Sequence, residues 1–152
     1  MKRQMSAINR TGRKVEIDGY KFDSQREADF YSRYVKNCGL DFDVHPRFDL
    51  VKSFALESMK FRKVVYTPDF VVYDKTGNIL HVYDVKNGFS VYDLDTGVQL
   101  RFKMFAEHYR FPVEVVVPRV HYFRTKIFGI TKQHNEPIQK TNLNYTVGDL
   151  VD

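Results

Sequence analysis

Cysteine is almost absent from this chain of 152 residues, since Cys38 is the single example. No internal disulfide can form, and nothing indicates an oxidising compartment. The five histidines show no HxxxH or Cys/His spacing, so a structural zinc is not expected. The chain also lacks the run of about 18 apolar residues that a membrane-spanning helix needs, and its first segment, MKRQMSAINR, lacks the apolar core of a secretory signal. These absences predict a cytoplasmic protein with no membrane span.

Acidic residues are missing from residues 1–14, although the chain as a whole has a net charge of +5. This segment carries five basic side chains, so the other residues sum to a charge of zero. We predict a basic N-terminal arm that binds phosphate backbones, with a solvated flexible terminus as the open alternative. The basic residues are Lys2, Arg3, Arg10, Arg13 and Lys14.

The whole chain is 43% hydrophobic, which is enough for a buried core, and its length is that of one folded domain. We predict a domain at 15–130, followed by a polar C-terminal tail at 131–152. Its order of elements indicates an α/β fold with a central mixed β-sheet flanked by helices. The predicted elements are a hairpin at 15–22, a helix from 23 to 38, β structure at 41–57 and 60–66, strands at 70–74 and 79–86, a helix at 95–109, and strands at 113–117 and 121–130.

Two strands joined by the turn at 75–78 bring three charged residues onto one face of the sheet. Strand side chains alternate, so Asp84 and Lys86 share a face, about 7 Å apart along the strand. A turn centred on 76–77 places Asp69 opposite Asp84, whereas a turn centred on 77–78 places it opposite Lys86. Both registers bring the three side chains together.

Facing carboxylates destabilise a sheet, and Val71 and Val82, next on that face, predict partial burial. A divalent cation would neutralise the two acids, and magnesium is commonly held by two carboxylates with water and phosphate. Lys86 would then hold a phosphate oxygen or the attacking water. A surface Asp-Lys cluster without a ligand is the alternative, but the Pro-Asp, the DxK and a compatible register together favour the metal site.

Glu27 is the fourth candidate residue, and position alone gives it a structural explanation. Ser24 and Glu27 have the spacing of a helix capping box, in which each side chain binds the other residue's backbone N–H. However, Glu27 also borders the predicted buried stripe of Ala28 and Tyr31. Capping and a role in the metal site are compatible, and position alone favours capping.

Three segments together resemble the PD-(D/E)xK nuclease superfamily: Phe22-Asp-Ser-Gln-Arg-Glu27, Tyr66-Thr-Pro-Asp69-Phe, and Asp84-Val-Lys86 followed by Gly88. The chain is most similar there to phage junction-resolving endonucleases of the endonuclease I type and to related small phage nucleases. The similarity covers about residues 15–117. It implies a restriction-endonuclease-like core and, for a phage protein, the cytoplasm of the host.

The resemblance also implies roles for individual residues. Asp69, Asp84 and the backbone carbonyl of Val85 would bind Mg2+ or Mn2+, Glu27 would complete that metal site or a second one, and Lys86 would orient or activate the water. The implied activity is Mg-dependent hydrolysis of DNA phosphodiester bonds, with Holliday junctions or other branched DNA as the expected substrate. A site-specific or nicking endonuclease is one alternative, and a non-catalytic DNA-binding module on the same fold is another.

Two further expectations concern partners. On the second helix, Gln99, Arg101 and Lys103 are candidate DNA contacts, although an ordinary solvated face remains open. Symmetrical cleavage of a junction needs two active sites about a twofold axis, so we predict a homodimer. The apolar residues Ile127, Phe128 and Ile130 are the candidate interface.

Overall fold

The computed structural model describes residues 14–131 and 136–151, and Arg3, Arg10 and Arg13 of the predicted arm lie outside them. The described chain is mixed α/β, with a central six-stranded mixed sheet and two α-helices, as predicted. No helix within the described ranges has both the length and the apolar character needed to cross a membrane.

The chain forms twelve strands in the described residues. They are β1 Val15–Ile17, β2 Tyr20–Phe22, β3 Phe42–Val44, β4 Phe48–Val51, β5 Phe54–Leu56, β6 Met59–Phe61, β7 Val64–Tyr66, β8 Phe70–Tyr73, β9 Ile79–Val85, β10 Glu114–Pro118, β11 Phe123–Lys126 and β12 Ile138–Lys140. The helices are α1 Gln25–Phe30, which continues as a π-helical turn over Tyr31–Val35, α2 Thr96–Tyr109, and a 3-10 helix over Val147–Leu150. The predicted β structure from 41 to 66 is therefore five short strands, and the strand predicted at 121–130 is shorter.

The central sheet has the strand order β12-β11-β10-β9-β8-β3. Only β9 and β10 pair in parallel among these strands, because α2 connects them as a crossover. The β1–β2, β4–β7 and β5–β6 pairs form three separate two-stranded sheets. This connectivity puts the C-terminal end of β9 beside the segment that joins β7 to β8.

Each face of the central sheet is covered by a helix. The cluster on one face includes Phe30 from α1 and Tyr83 from β9. The cluster on the other face includes Val71, Val82 and, from α2, Phe105. Burial on both faces fixes which way the β9 side chains point, since neighbouring residues face opposite sides.

The register of β8 and β9 decides between the two predicted alternatives. Phe70 pairs with Tyr83, and Val71 pairs with Val82. These pairs have the register expected for a turn centred on 76–77. The regular pairing ends there, with the Asp69 N–H bonded to the Tyr83 carbonyl, so Asp69 lies at the same strand end as Asp84. A register shift between residues 72 and 73 lies closer to the turn and does not reach the acidic pair.

The segment predicted as a polar tail is part of the domain. β12 pairs with β11 at the edge of the central sheet, and Leu143, Tyr145 and Leu150 are buried in the cluster that contains α1. Residues beyond the predicted boundary at 130 therefore pack with the domain. Leu143, Tyr145 and Val147 alternate with polar residues, but the polar composition of the segment masks this strand-like period.

The predicted dimer interface is also corrected in part. Ile127 is 5% exposed and belongs to the core. Phe128 is half-buried and stacks against Phe89, with ring centroids 6.2 Å apart. Of the three residues, Ile130 is the most exposed, at 38%. Ile127 is therefore held within the fold, whereas Phe128 and Ile130 keep exposed surface and stay candidates for the interface.

Candidate active site

A cleft of about 600 Å³ opens where the end of β9, the start of β8 and the start of α1 meet. It brings together all of the residues predicted from the motifs. Glu27, Asp69, Asp84, Val85 and Lys86 line it. The other lining residues are Asp23, Ser24, Val65, Tyr66, Thr67, Asn87, Tyr92, Asp93, Val98 and Arg101.

Asp69 is fixed to β9 through both its backbone and its side chain. Its backbone N–H donates to the Tyr83 carbonyl at 2.9 Å, and its Oδ2 accepts from the Val85 N–H at 2.7 Å. The rigid Pro68 ring precedes it, and the side chain keeps only 15% of its surface exposed. The hydrogen bond to Oδ2 thus holds the Asp69 carboxylate in place at the end of the sheet. The other oxygen, Oδ1, does not take part in this hydrogen bond.

Asp84 is 7% exposed and has a partner for each oxygen. The Tyr66 hydroxyl donates to Oδ2 at 2.7 Å, and the Lys86 Nζ lies 2.9 Å from Oδ1. Burial, with the charge of Asp84 as the next cause, raises the pKa of Tyr66 well above its usual value. Tyr66 therefore remains a protonated donor and fixes the orientation of Asp84.

The two acids affect each other strongly. Burial raises the pKa of Asp69 well above its ordinary value, and the charges of Asp84 and Glu27 raise it further. Desolvation and neighbouring like charges both disfavour the ionised form of a carboxyl. Without a bound cation, the ionised pair Asp69 and Asp84 is therefore unfavourable at this site.

Glu27 lies in the first turn of α1 and is 4% exposed. Half of the capping prediction is confirmed, since its backbone N–H donates to Ser24 Oγ at 3.1 Å. The Glu27 carboxylate, however, lies 2.6 Å from Nε2 of His45. The carboxylate therefore points at the cleft, and capping and a site position coexist.

His45 is a site residue that the sequence does not reveal. Its Nε2 lies 3.8 Å from Asp69 Oδ1 as well as beside Glu27, and the Glu27 hydrogen bond is the main cause that raises the pKa of His45. Its backbone φ is +54°, in the left-handed region that costs free energy for residues other than glycine. A lone histidine between two short strands gives no motif that would have predicted this.

The donors around the cleft suit a hard divalent cation. One ligand atom from each of Asp23, Glu27 and His45 lies within 4.8 Å of the others. Asp69 adjoins this group through His45, and Asp84 faces Asp69 across the strands. Carboxylate oxygens in this number match the preference of Mg2+ and Mn2+, so the residues fit the implied metal.

Within the described residues, the side chains predicted to contact DNA divide into two groups. Arg101 lines the cleft, and the Lys14 Nζ is paired with the Asp23 carboxylate at the cleft edge. Gln99 instead donates to the Leu94 carbonyl at 3.0 Å, and it lines a separate depression with Lys103. Arg101 and Lys14 thus lie at the candidate site, whereas Gln99 and Lys103 do not.

A close backbone approach follows the DxK strand. A Cβ placed on Gly88 would lie 2.8 Å from Asp93 Oδ2, so a side chain at this position would require the Asp93 carboxylate to move. The same Asp93 oxygen accepts from the Ser90 hydroxyl at 2.7 Å. A side chain at residue 88 would therefore disturb the hydrogen bond between Ser90 and Asp93 at this wall of the cleft.

The comparisons with known proteins identify a family without assigning a role to it. No curated protein and no solved structure matches the chain. The family model described as "Protein of unknown function (DUF1064)" matches residues 9–122. That span contains Glu27, Asp69, Asp84 and Lys86, and it is well over half of the chain. The chain therefore belongs to the DUF1064 family of proteins of unknown function.

Proposed function

We propose that this protein is a metal-dependent DNA endonuclease built on a restriction-endonuclease-like core. One observation carries the proposal: Asp69 and Asp84 lie together in one cleft, both largely buried, and Lys86 Nζ lies 2.9 Å from Asp84 Oδ1. Two carboxylates with a lysine beside them can serve phosphodiester hydrolysis with a bound cation.

The burial of two acids argues for a ligand. Like charges opposite each other weaken a sheet, and each buried carboxylate loses hydration. Lys86 neutralises one negative charge, yet Glu27 adds a third carboxylate beside Asp69. A divalent cation would remove this excess, and it explains why the sequence keeps an arrangement that opposes folding.

The residues that would hold Mg2+ or Mn2+ are Asp69, Asp84 and the carbonyl of Val85, with Glu27 completing the set. When bound, such a cation lowers the pKa of a coordinated water and neutralises the phosphate. The chain's own groups supply the rest. The Lys86 ammonium can donate to a phosphate oxygen and stabilise the charge that develops at phosphorus.

Two residues hold the carboxylates of this site in place through hydrogen bonds. Tyr66 fixes the Asp84 carboxylate through its hydroxyl, and His45 fixes Glu27 through Nε2. Partners of this kind orient ligands and tune their basicity. Arg101, on the cleft wall, adds a positive charge that a bound phosphate backbone would meet.

Branched DNA, such as a Holliday junction, is the proposed substrate, and a homodimer in the cytoplasm is the proposed form. The alternative of a non-catalytic DNA-binding module is less consistent with the cleft. Paired acids repel phosphate, so binding alone would be served better without them. A nicking endonuclease needs only one such cleft and is the second candidate.

The deciding experiment is cleavage of matched linear, nicked, flap and four-way DNA by the purified protein with magnesium. We expect cleavage by the wild type and none by Asp84→Asn. Asp41→Asn is the matched control, since Asp41 is an exposed acid outside the cleft. Cleavage of none of the four DNAs by the wild type would refute the proposed activity.

A further inference from the structure

The β5–β6 hairpin carries an apolar surface that residues 14–131 and 136–151 do not cover. Phe54 pairs with Phe61, and Leu56 pairs with Met59. Directly opposed residues in an antiparallel pair share a face, so these four side chains lie on one side of the hairpin. They are 47%, 42%, 54% and 55% exposed, respectively. Such a cluster of exposed apolar groups on a small ribbon marks a contact surface.

The aromatic pair keeps the hairpin in shape. The rings of Phe54 and Phe61 are stacked with centroids 4.8 Å apart and an angle of 8° between their planes. A two-stranded hairpin is only marginally stable in water, and this stack stabilises its base. Leu56 and Met59 lie nearer the turn at Glu57, where φ is +55°. They are therefore the apolar groups that a partner meets first.

The charge around this apolar surface is positive. Four basic residues and one acid lie between residues 52 and 63. Lys60 pairs with Ala55 and so lies on the opposite face from the phenylalanines. Among the described residues, no carboxylate forms an ion pair with Lys60 or Arg62, whereas Lys63 lies 3.9 Å from Asp49. A polyanionic ligand suits this combination of exposed apolar side chains and basic residues.

The area of the surface favours nucleic acid over a second copy of the chain. Four partly exposed side chains offer a few hundred Å² of apolar surface. A stable protein interface needs about 800 Å² on each partner. Nucleic acid can use a smaller apolar surface, because Leu, Met or Phe can insert between base steps while Lys and Arg contact phosphates.

The hairpin also lies close to the candidate active site along the chain. β7 follows it directly, and Val65, Tyr66 and Thr67 line the cleft. Met59 precedes Tyr66 by seven residues, which is at most about 24 Å of extended chain. Bases along one strand are spaced by about 3.4 Å. A base held at Met59 would therefore lie within about seven nucleotides of a phosphate at Tyr66 in the cleft.

From these observations we infer that the β5–β6 hairpin binds DNA where base stacking is interrupted, with Leu56 and Met59 inserted at the break, while the positive charge of Lys60 and Arg62 on the other face of the ribbon attracts the polyanion. The inference rests on the proposed function, from which it takes DNA as the ligand. It narrows the substrate to DNA with a branch point. The hairpin would select a branch point over continuous duplex. Cleavage would then fall within about seven nucleotides of the branch.

The test uses the full chain carrying Asp84→Asn, with flap and four-way DNA that contain 2-aminopurine at the branch point and a linear duplex as reference. Binding should raise the fluorescence of the branch-point base, because 2-aminopurine brightens when it is unstacked. Adding Leu56→Ser and Met59→Ser should abolish this rise and weaken binding to branched DNA by about tenfold. Affinity for the linear duplex should be unchanged.

Leu100→Ser is the matched control, because Leu100 is an exposed leucine with the same 54% exposure as Leu56 and lies on α2. It should change neither readout, and thermal unfolding should show all variants folded. Unchanged fluorescence and affinity in the hairpin variant would overturn the inference. So would conversion of a dimer into a monomer by the same substitutions, which would assign the hairpin to a protein interface. Branch-point unstacking by a wild type that cleaves no DNA would support the hairpin and refute the nuclease.

Discussion

The Tyr66 hydroxyl donates a 2.7 Å hydrogen bond to Asp84 Oδ2, and this interaction joins the packing of α2 to the chemistry of the cleft. The Tyr66 ring lies between the sheet and the helix, with centroids 5.8 Å and 5.7 Å from the rings of Phe102 and Phe105. A ring held in this way fixes the position of its hydroxyl. Asp84 is therefore oriented before any ligand arrives.

Tyr66→Phe tests this orientation. The ring packing is kept but a buried carboxylate loses one hydrogen bond, so stability should fall by roughly 1–3 kcal/mol. Metal affinity or cleavage rate should fall by roughly 10-fold to 100-fold, as for other groups that orient a metal ligand. The measurement is cleavage rate against magnesium concentration.

Tyr73→Phe supplies the control, since the Tyr73 hydroxyl donates to Asp43 Oδ2 at 2.7 Å and neither residue lines the cleft. Equal losses of cleavage rate in Tyr66→Phe and Tyr73→Phe would mean that the Tyr66 hydroxyl contributes to folding and not to the site.

Asp84→Asn separates catalysis from stability. The charge of Asp84 raises the pKa of Asp69, so its removal should bring that pKa down and relieve repulsion in the metal-free protein. Cleavage should be abolished, DNA binding retained, and thermal stability unchanged or higher. Thermal unfolding without metal, compared with Asp41→Asn, checks this. A clear loss of stability confined to Asp84→Asn would identify Asp84 as a structural partner of Lys86.

The metal requirement gives a third prediction. Activity should need magnesium or manganese, and calcium should bind while supporting little turnover, because its looser coordination positions water poorly. Each of the three ions should raise the unfolding temperature of the wild type, since a cation offsets the repulsion between Asp69 and Asp84. The shift should shrink in Asp84→Asn. Full activity in excess chelator would contradict the metal site.

The sequence predicts the acidic pair because both acids belong to one hairpin, where strand alternation and a short turn leave only two registers. It cannot choose between them, since the register shift between residues 72 and 73 leaves no trace in the alternation. His45 is missed for a different reason: it reaches Glu27 from a separate segment through a left-handed backbone conformation.

The buried C-terminal segment is missed because its order depends on tertiary contacts. Tyr145 donates to Glu114 Oε2 at 2.6 Å, and the His81 Nε2 lies 2.9 Å from the Leu143 carbonyl. These partners are between 31 and 62 residues apart in sequence. No local period reveals interactions over such separations, so the polar composition of the segment suggests a tail.

The N-terminal arm gives the last prediction. Lys14 pairs with Asp23 at the edge of the cleft, so residues 1–14 join the described chain next to the proposed metal site. Deleting them removes five positive charges, which equals the whole net charge of +5. DNA binding should weaken, and the slope of log affinity against log salt should become shallower by roughly 0.9 for each phosphate that the arm no longer neutralises.

Titrating the deletion variant and the full chain with the same DNA at several salt concentrations measures both effects. Lys75→Ala is the control for removal of a positive charge, because Lys75 lies in the turn at the far end of the β8–β9 hairpin. It should leave the slope unchanged. An unaltered affinity and slope after the deletion would mean that the arm is a solvated terminus, and phosphate binding would then have to come from Arg101 and the β5–β6 hairpin.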